Sequence, residues 1–145
     1  MTSTIKYIVL AEDDFDDLLL FKMALEEVSW DIELEIAENG AKLLHFLEEI
    51  LVPELIVLDL NMPLKSGKER LTEIRLQKRY NKVPIIMLSI SYHDNDICYC
   101  LTHSANKYLT KSPSFLELKQ TIESICYNAI HWCFSKISHP HPKFL

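Results

Sequence analysis

Five short apolar runs punctuate the chain, at Tyr7–Ala11, Ile32–Ala37, Leu55–Leu58, Ile85–Leu88 and Lys107–Thr110. Three of them are nearly continuous Ile, Val, Leu and Met, as strands buried on both faces of a parallel sheet require. The second alternates strictly, Ile32-Glu33-Leu34-Glu35-Ile36, which predicts an edge strand with one wet face. Between the runs apolar residues step by three and four. Leu18, Phe21, Leu25 and Val28 mark a first helix, and Leu43, Leu47 and Ile50 a second, opened by Asn39-Gly40. Leu71 and Ile74 anchor a third after Gly67. Ile97 and Leu101 anchor a fourth, with Asp94 as its candidate cap. Phe115, Leu118, Ile122, Ile125, Ala129 and Trp132 trace a long fifth.

Strand and helix therefore alternate five times, which predicts an α/β domain, (βα)5, with a doubly wound five-stranded parallel sheet. Right-handed crossovers place helices on both faces. The domain is expected over residues 1–130. Residues 131–145 form the end of the last helix and a loose tail, because Ser138-His139-Pro140-His141-Pro142 cannot continue a helix.

Composition narrows the function. The chain has 145 residues, 48% hydrophobic and 25% charged, the profile of one globular domain. No apolar run reaches the roughly 18 residues that span a bilayer, and no secretory signal opens the sequence, so a cytoplasmic protein without membrane contact is expected. Acidic residues outnumber basic ones by 21 to 15, net charge -6, which argues against nucleic acid as a partner. The only glycines, Gly40 and Gly67, lie too far apart for a glycine-rich phosphate cradle, which excludes Rossmann and P-loop chemistry. The cysteines Cys98, Cys100, Cys126 and Cys133 form no Cys-x-x-Cys pair and read as small apolar residues. The histidines of the tail, with Cys98, Cys100 and His103, do not make a zinc set.

Candidate chemistry collects at the carboxyl ends of the strands, where ligands bind in open α/β sheets. Glu12-Asp13-Asp14 follows the first run and Asp59 ends the third. With strands one and three adjacent, Glu12, Asp13 and Asp59 converge, and three carboxylates that close repel unless a cation or proton lies among them. Oxygen ligands alone suit Mg²⁺. Acids after a strand also start helices; Asp14, Asp16 and Asp17 fit that role, and Asp16 and Asp17 are expected to face solvent. Asp59 does not fit it, because it ends the most buried strand. Ser89 and Lys111 end strands four and five, adding a hydroxyl and an ammonium to the same edge.

These residues closely resemble the receiver domain of two-component response regulators, from Ile8 to about Tyr127. The resemblance rests on Val9-Leu10-Ala11-Glu12-Asp13-Asp14, Leu58-Asp59-Leu60-Asn61-Met62-Pro63 with Gly67, Leu88-Ser89 and Tyr108-Leu109-Thr110-Lys111. It implies a flavodoxin-like strand order, 2-1-3-4-5, and a phosphoacceptor at Asp59 supplied by a sensor histidine kinase or histidine phosphotransfer protein. Asp13 would bind Mg²⁺ directly and Glu12 through water, with Asp59 and the main-chain carbonyl of Asn61 completing the ligands. Ser89 resembles the switch hydroxyl, Lys111 the phosphate-contacting lysine and Tyr108 the aromatic switch; Pro63 and Gly67 shape the adjoining loop. Inward movement of Ser89 would make room for the Tyr108 ring and alter the surface of helix four, strand five and helix five, where a downstream protein target binds. Such a domain catalyses only its own phosphorylation and dephosphorylation.

Three positions depart from the family pattern. Ser112 follows Lys111 where a cis proline is usual; a cis bond before a non-proline residue costs about 2.5–4 kcal/mol, so a trans loop is expected. Single-domain regulators associated with phytochromes share this Lys-Ser, and Trp132 and Phe134 loosely resemble their aromatic extensions. Those two aromatics are expected to cover the core, with a homodimer face as the alternative. Ile90 stands beside Ser89 where the family prefers a small residue, and is expected to narrow access for the donor. Ser104 replaces a glycine before Ala105. Two other functions compete: a degenerate receiver binding partners without phosphorylation, and a Mg²⁺-dependent phosphatase, which normally carries an aspartate where Asn61 stands.

Overall fold

The computed structural model describes residues 6–28, 31–49, 52–61, 66–112 and 114–135, with side chains through Tyr127. Five strands, β1 (Tyr7–Ala11), β2 (Glu33–Ala37), β3 (Leu55–Leu58), β4 (Ile85–Ser89) and β5 (Lys107–Thr110), form one parallel sheet in the order β2-β1-β3-β4-β5. Between and after them run α1 (Phe15–Val28), α2 (Gly40–Leu47), α3 (Gly67–Arg75), α4 (Asp94–Thr102) and α5 (Phe115–Ser135). β2 and β5 lie at the edges, as the alternation of β2 predicts. β3 sits at the centre, and all four of its residues are buried. A 3-10 turn at Lys78–Tyr80, which the periodicity did not signal, follows α3 and buries Tyr80 beneath Leu47, whose carbonyl accepts from the tyrosine hydroxyl.

Alternation along the strands divides the core in two. Val9, Ala11, Ile56, Leu58, Ile85, Met87 and Tyr108 face α2, α3 and α4 through Leu43, Leu47, Leu71, Ile74 and Cys100. Ile8, Leu10, Val57, Ile86, Leu88 and Leu109 face α1 and α5 through Phe21, Leu25, Ile122 and Ile125. Truncating a central residue such as Leu58 to alanine is expected to cost about 2–5 kcal/mol.

The helix ends follow from local chemistry. Asp14 caps α1 by accepting from the Asp17 amide at 3.0 Å, and Asn39 caps α2 by accepting from Lys42 at 2.9 Å. Ser66 and Glu69 form a capping box on α3. Ser114 accepts from the Glu117 amide at the start of α5. Asp94 corrects the expectation for α4: it is the first helical residue, and His93 occupies the cap position without a side-chain bond. Its charge still favours the first turn through the dipole. α4 ends in a Schellman turn, with Ala105 donating to Cys100 O and Ser104 to Leu101 O. Ser104 takes φ 74 there, the left-handed conformation that glycine supplies more cheaply.

α5 runs unbroken past residue 130 to Ser135. The expectations for the tail, for the side chains of Trp132 and Phe134, and for Ile50 and Pro63 fall outside the described residues. No described helix is long and apolar enough to cross a membrane.

Candidate functional site

Strand register assembles the site. Ala11 pairs with Leu58, so the next residues, Glu12 and Asp59, emerge side by side. Backbone bonds carry the ladder past the strand ends: the Asp59 amide donates to Ala11 O, and that of Glu12 to Ala37 O, each at 2.9 Å. On the other side of β3, the Lys111 amide donates to Ser89 O at 2.7 Å, fixing the start of the β5–α5 loop.

Glu12, Asp13 and Asp59 each bring one carboxylate oxygen to a common point, all within 4.8 Å of one another. Asp13 is exposed, whereas Glu12 and Asp59 are only 3% and 7% accessible. Burial, then the charge of Glu12, pushes the Asp59 carboxyl up to about 7, against the opposing pull of Lys111. The Asn61 amide donates to Asp59 Oδ1 at 3.4 Å. This donor set is all carboxylate oxygen, its crowding is unfavourable without positive charge, and one member opens to solvent. It fits a hard divalent cation.

Lys111 supplies a positive charge to this cluster. Its Nζ lies 2.6 Å from Glu12 Oε1, 2.8 Å from Asp17 Oδ2 and 3.7 Å from Asp59 Oδ2. Burial opposes the charged ammonium. Its hydrogen bonds to Asp17 and Glu12, with the charge of Asp59, outweigh that and hold the lysine above its ordinary pKa. Asp17 keeps much of the solvent exposure expected of it, 40% at its side chain, and in addition reaches Lys111. Helical position alone does not reveal this, because the partner lies 94 residues away. The Lys111–Ser112 peptide is trans, as all described peptides are. Ser112 Oγ donates to Glu117 and accepts from the Ser114 amide, contacts that a proline could not make.

Ser89 and Tyr108 belong to the other face of the sheet. Ser89 Oγ accepts from the Ser91 amide at 3.1 Å, and Tyr108 Oη donates to Ser91 O at 3.0 Å. The Tyr108 ring is already inward, 6% accessible. Burial raises the pKa of its hydroxyl, and bonds with Ser89 and Ser91 partly offset the rise. In this arrangement Ser89 and Tyr108 are both buried in the core. Ile90 is 67% exposed on the β4–α4 loop. Gly67 abuts the backbone of Asp59 and Leu60.

A doubly wound sheet of order 2-1-3-4-5, with an acidic cluster and a lysine at its carboxyl edge, defines the receiver class. The chain belongs to the response regulator receiver domain family, whose sequence model matches residues 8–123. The response regulator Rcp1 of Synechocystis is 33% identical over 126 residues, covering 83% of this chain and 86% of that protein. Among solved structures, the phosphorylated cyanobacterial phytochrome response regulator RcpA superimposes with TM-score 0.80 at 30% identity, covering 87% of this chain and 94% of that one. The Mn²⁺-bound form of Rcp1 gives TM-score 0.75 at 29% identity, covering 97% of this chain and 99% of that one.

Proposed function

We propose that this chain is a phosphoacceptor in two-component signalling, taking a phosphoryl group on Asp59 from the phosphohistidine of a sensor histidine kinase or histidine phosphotransfer protein. The observation that carries the reading is the meeting of Glu12, Asp13 and Asp59 within 4.8 Å, with the Lys111 ammonium 3.7 Å from Asp59. Asp13, Asp59 and the Asn61 carbonyl would hold Mg²⁺, with Glu12 contributing through water. The cation would neutralise charge on the transferring group. Lys111 offers a second positive charge and Ser89 a hydroxyl to the phosphoryl oxygens. A movement of Ser89 toward the phosphoryl group would pass through Ser91, whose amide donates to Ser89 and whose carbonyl accepts from the Tyr108 hydroxyl, to the surface of α4, β5 and α5 and a downstream protein target. Residues 1–130 would make up the receiver and residues 131–145 its extension, and the kinase partner implies a cytoplasmic site of action.

Asn61 supports an acceptor over a phosphatase, because an amide cannot serve as general acid or base two residues after the nucleophile. Wild type and Asp59→Asn incubated with acetyl phosphate and Mg²⁺ provide the test by intact mass. Wild type should gain one phosphoryl group and the variant none; a wild type that gains no mass is a degenerate receiver.

A further inference from the structure

Lys111 is shared among three carboxylates, of which Glu12 and Asp59 belong to the acceptor site and Asp17 has no part in the function proposed above. Its contact is not a helix-opening device. Asp14 already caps α1, and Asp16 carries charge in the same first turn. Asp17 instead places Oδ2 2.8 Å from Lys111 Nζ, hydrogen-bonding distance, while Asp59 Oδ2 stands outside it at 3.7 Å. The two pulls differ in direction: Asp17 sits on a helix packed over one face of the sheet, Asp59 at the end of the central strand. Lys111 and Asp17 both line a cleft whose other walls include Leu10, Leu20, Phe21 and Leu88. With apolar walls beneath it, the ammonium takes its position from the carboxylates at the mouth.

We propose that Asp17 is a positioning residue that holds the Lys111 ammonium back from Asp59 in the unphosphorylated protein and so restrains phosphoryl uptake. The inference rests on Asp59 being the acceptor. In that reaction an Asp59 oxygen forms a bond to phosphorus while the bond to the donor's leaving group breaks. The electron pair leaves on acetate or on the donor imidazole. Lys111 assists by approaching the phosphoryl oxygens, and it can do so only by loosening an existing contact. Glu12 is nearly inaccessible, 4% at its side chain, whereas Asp17 is 40% exposed. Water replaces the Asp17 bond most readily, so that contact is the one released. The restraint is correspondingly modest, about two- to five-fold in rate, the factor an exposed ion pair is worth.

The test follows mass gain from acetyl phosphate with Mg²⁺ for wild type, Asp17→Asn, Asp17→Glu, Lys111→Met and the double variant Asp17→Asn/Lys111→Met, with thermal melts as a folding control. Asp17→Asn should take up phosphate about two- to five-fold faster than wild type. Asp17→Glu should restore the slower rate. In the Lys111→Met background the Asp17 change should do nothing. The ammonium signal of Lys111 in NMR supplies a readout separate from uptake: its protons should exchange with water faster in Asp17→Asn. An unaltered or slower rate in Asp17→Asn, or the same acceleration without Lys111, overturns the inference alone. A wild type that takes up no phosphate overturns the acceptor reading and this inference with it.

Discussion

A side-chain carbon on Gly67 would collide with the main-chain carbonyl oxygen of Asp59 and stand 2.8 Å from the Cα of Leu60. α3 thus begins against the very backbone that carries the Asp59 carboxylate, and the Gly67 amide donates to Leu60 O at 2.7 Å. No positive φ is involved. The requirement is space.

Gly67→Ala must push α3 away from β3. The expected cost is about 1–3 kcal/mol in urea denaturation, with slower phosphorylation of Asp59. Gly40→Ala provides the contrast. There the obstruction is the end of the Arg70 side chain, with Nε at 2.5 Å, and that nitrogen has no hydrogen bond to lose. Its loss should be smaller. Equal losses would show that backbone contact is not what Gly67 protects.

The Asp59 carboxyl, raised to about 7 from its ordinary 3.8, makes the metal-free protein pH-sensitive. Between those values the folded chain keeps a proton that the unfolded chain releases, so this group lowers stability as pH rises through the window. The whole penalty is present above it. Asp59→Asn removes the charge and keeps the shape. It should stabilise the metal-free protein at about pH 8 by a few kcal/mol and change little near pH 4. Added Mg²⁺ should raise the melting temperature of wild type more than that of Asp59→Asn. A variant no more stable than wild type at the higher pH would contradict the crowding described for the site.

Lys111 pulls the Asp59 pKa down, against burial and Glu12. Lys111→Met should therefore move the Asp59 titration above about 7, as followed by carboxyl-carbon NMR without metal. It should also reduce phosphate uptake. A titration unchanged or lower would mean that the ammonium does not act on Asp59 across 3.7 Å.

Ser104 bears a left-handed backbone that costs a non-glycine residue about 1 kcal/mol. Ser104→Gly should raise the melting temperature by a few degrees. It should leave phosphorylation unaltered, because the turn lies at the end of the sheet opposite the acids. A change in uptake rate with no gain in stability would place Ser104 in the signalling path instead.

The sequence alone determined the architecture. Strands buried on both faces must be apolar throughout, so Leu55–Leu58 and Ile85–Leu88 stand out from helices whose apolar residues recur at three and four. It also determined which residues end those strands, because a carboxylate after Leu58 has no packing reason to be there. Caps formed within one turn, such as Asn39, were open to the same reading; Asp94 was misplaced by one position, because a first-turn acid and a capping acid share the same composition. Only the tertiary structure decided which of the acids on α1 meets Lys111. Asp16 and Asp17 are alike in sequence and differ in what the fold brings near them: Lys111, delivered by β5 from 94 residues away, chooses Asp17. The same holds for Tyr108, whose hydroxyl partner Ser91 lies on a separate loop, and for Gly67, whose missing side chain matters because the backbone of Asp59 fills its place. Periodicity reports the burial of a face; it carries no information about which distant group that face will meet.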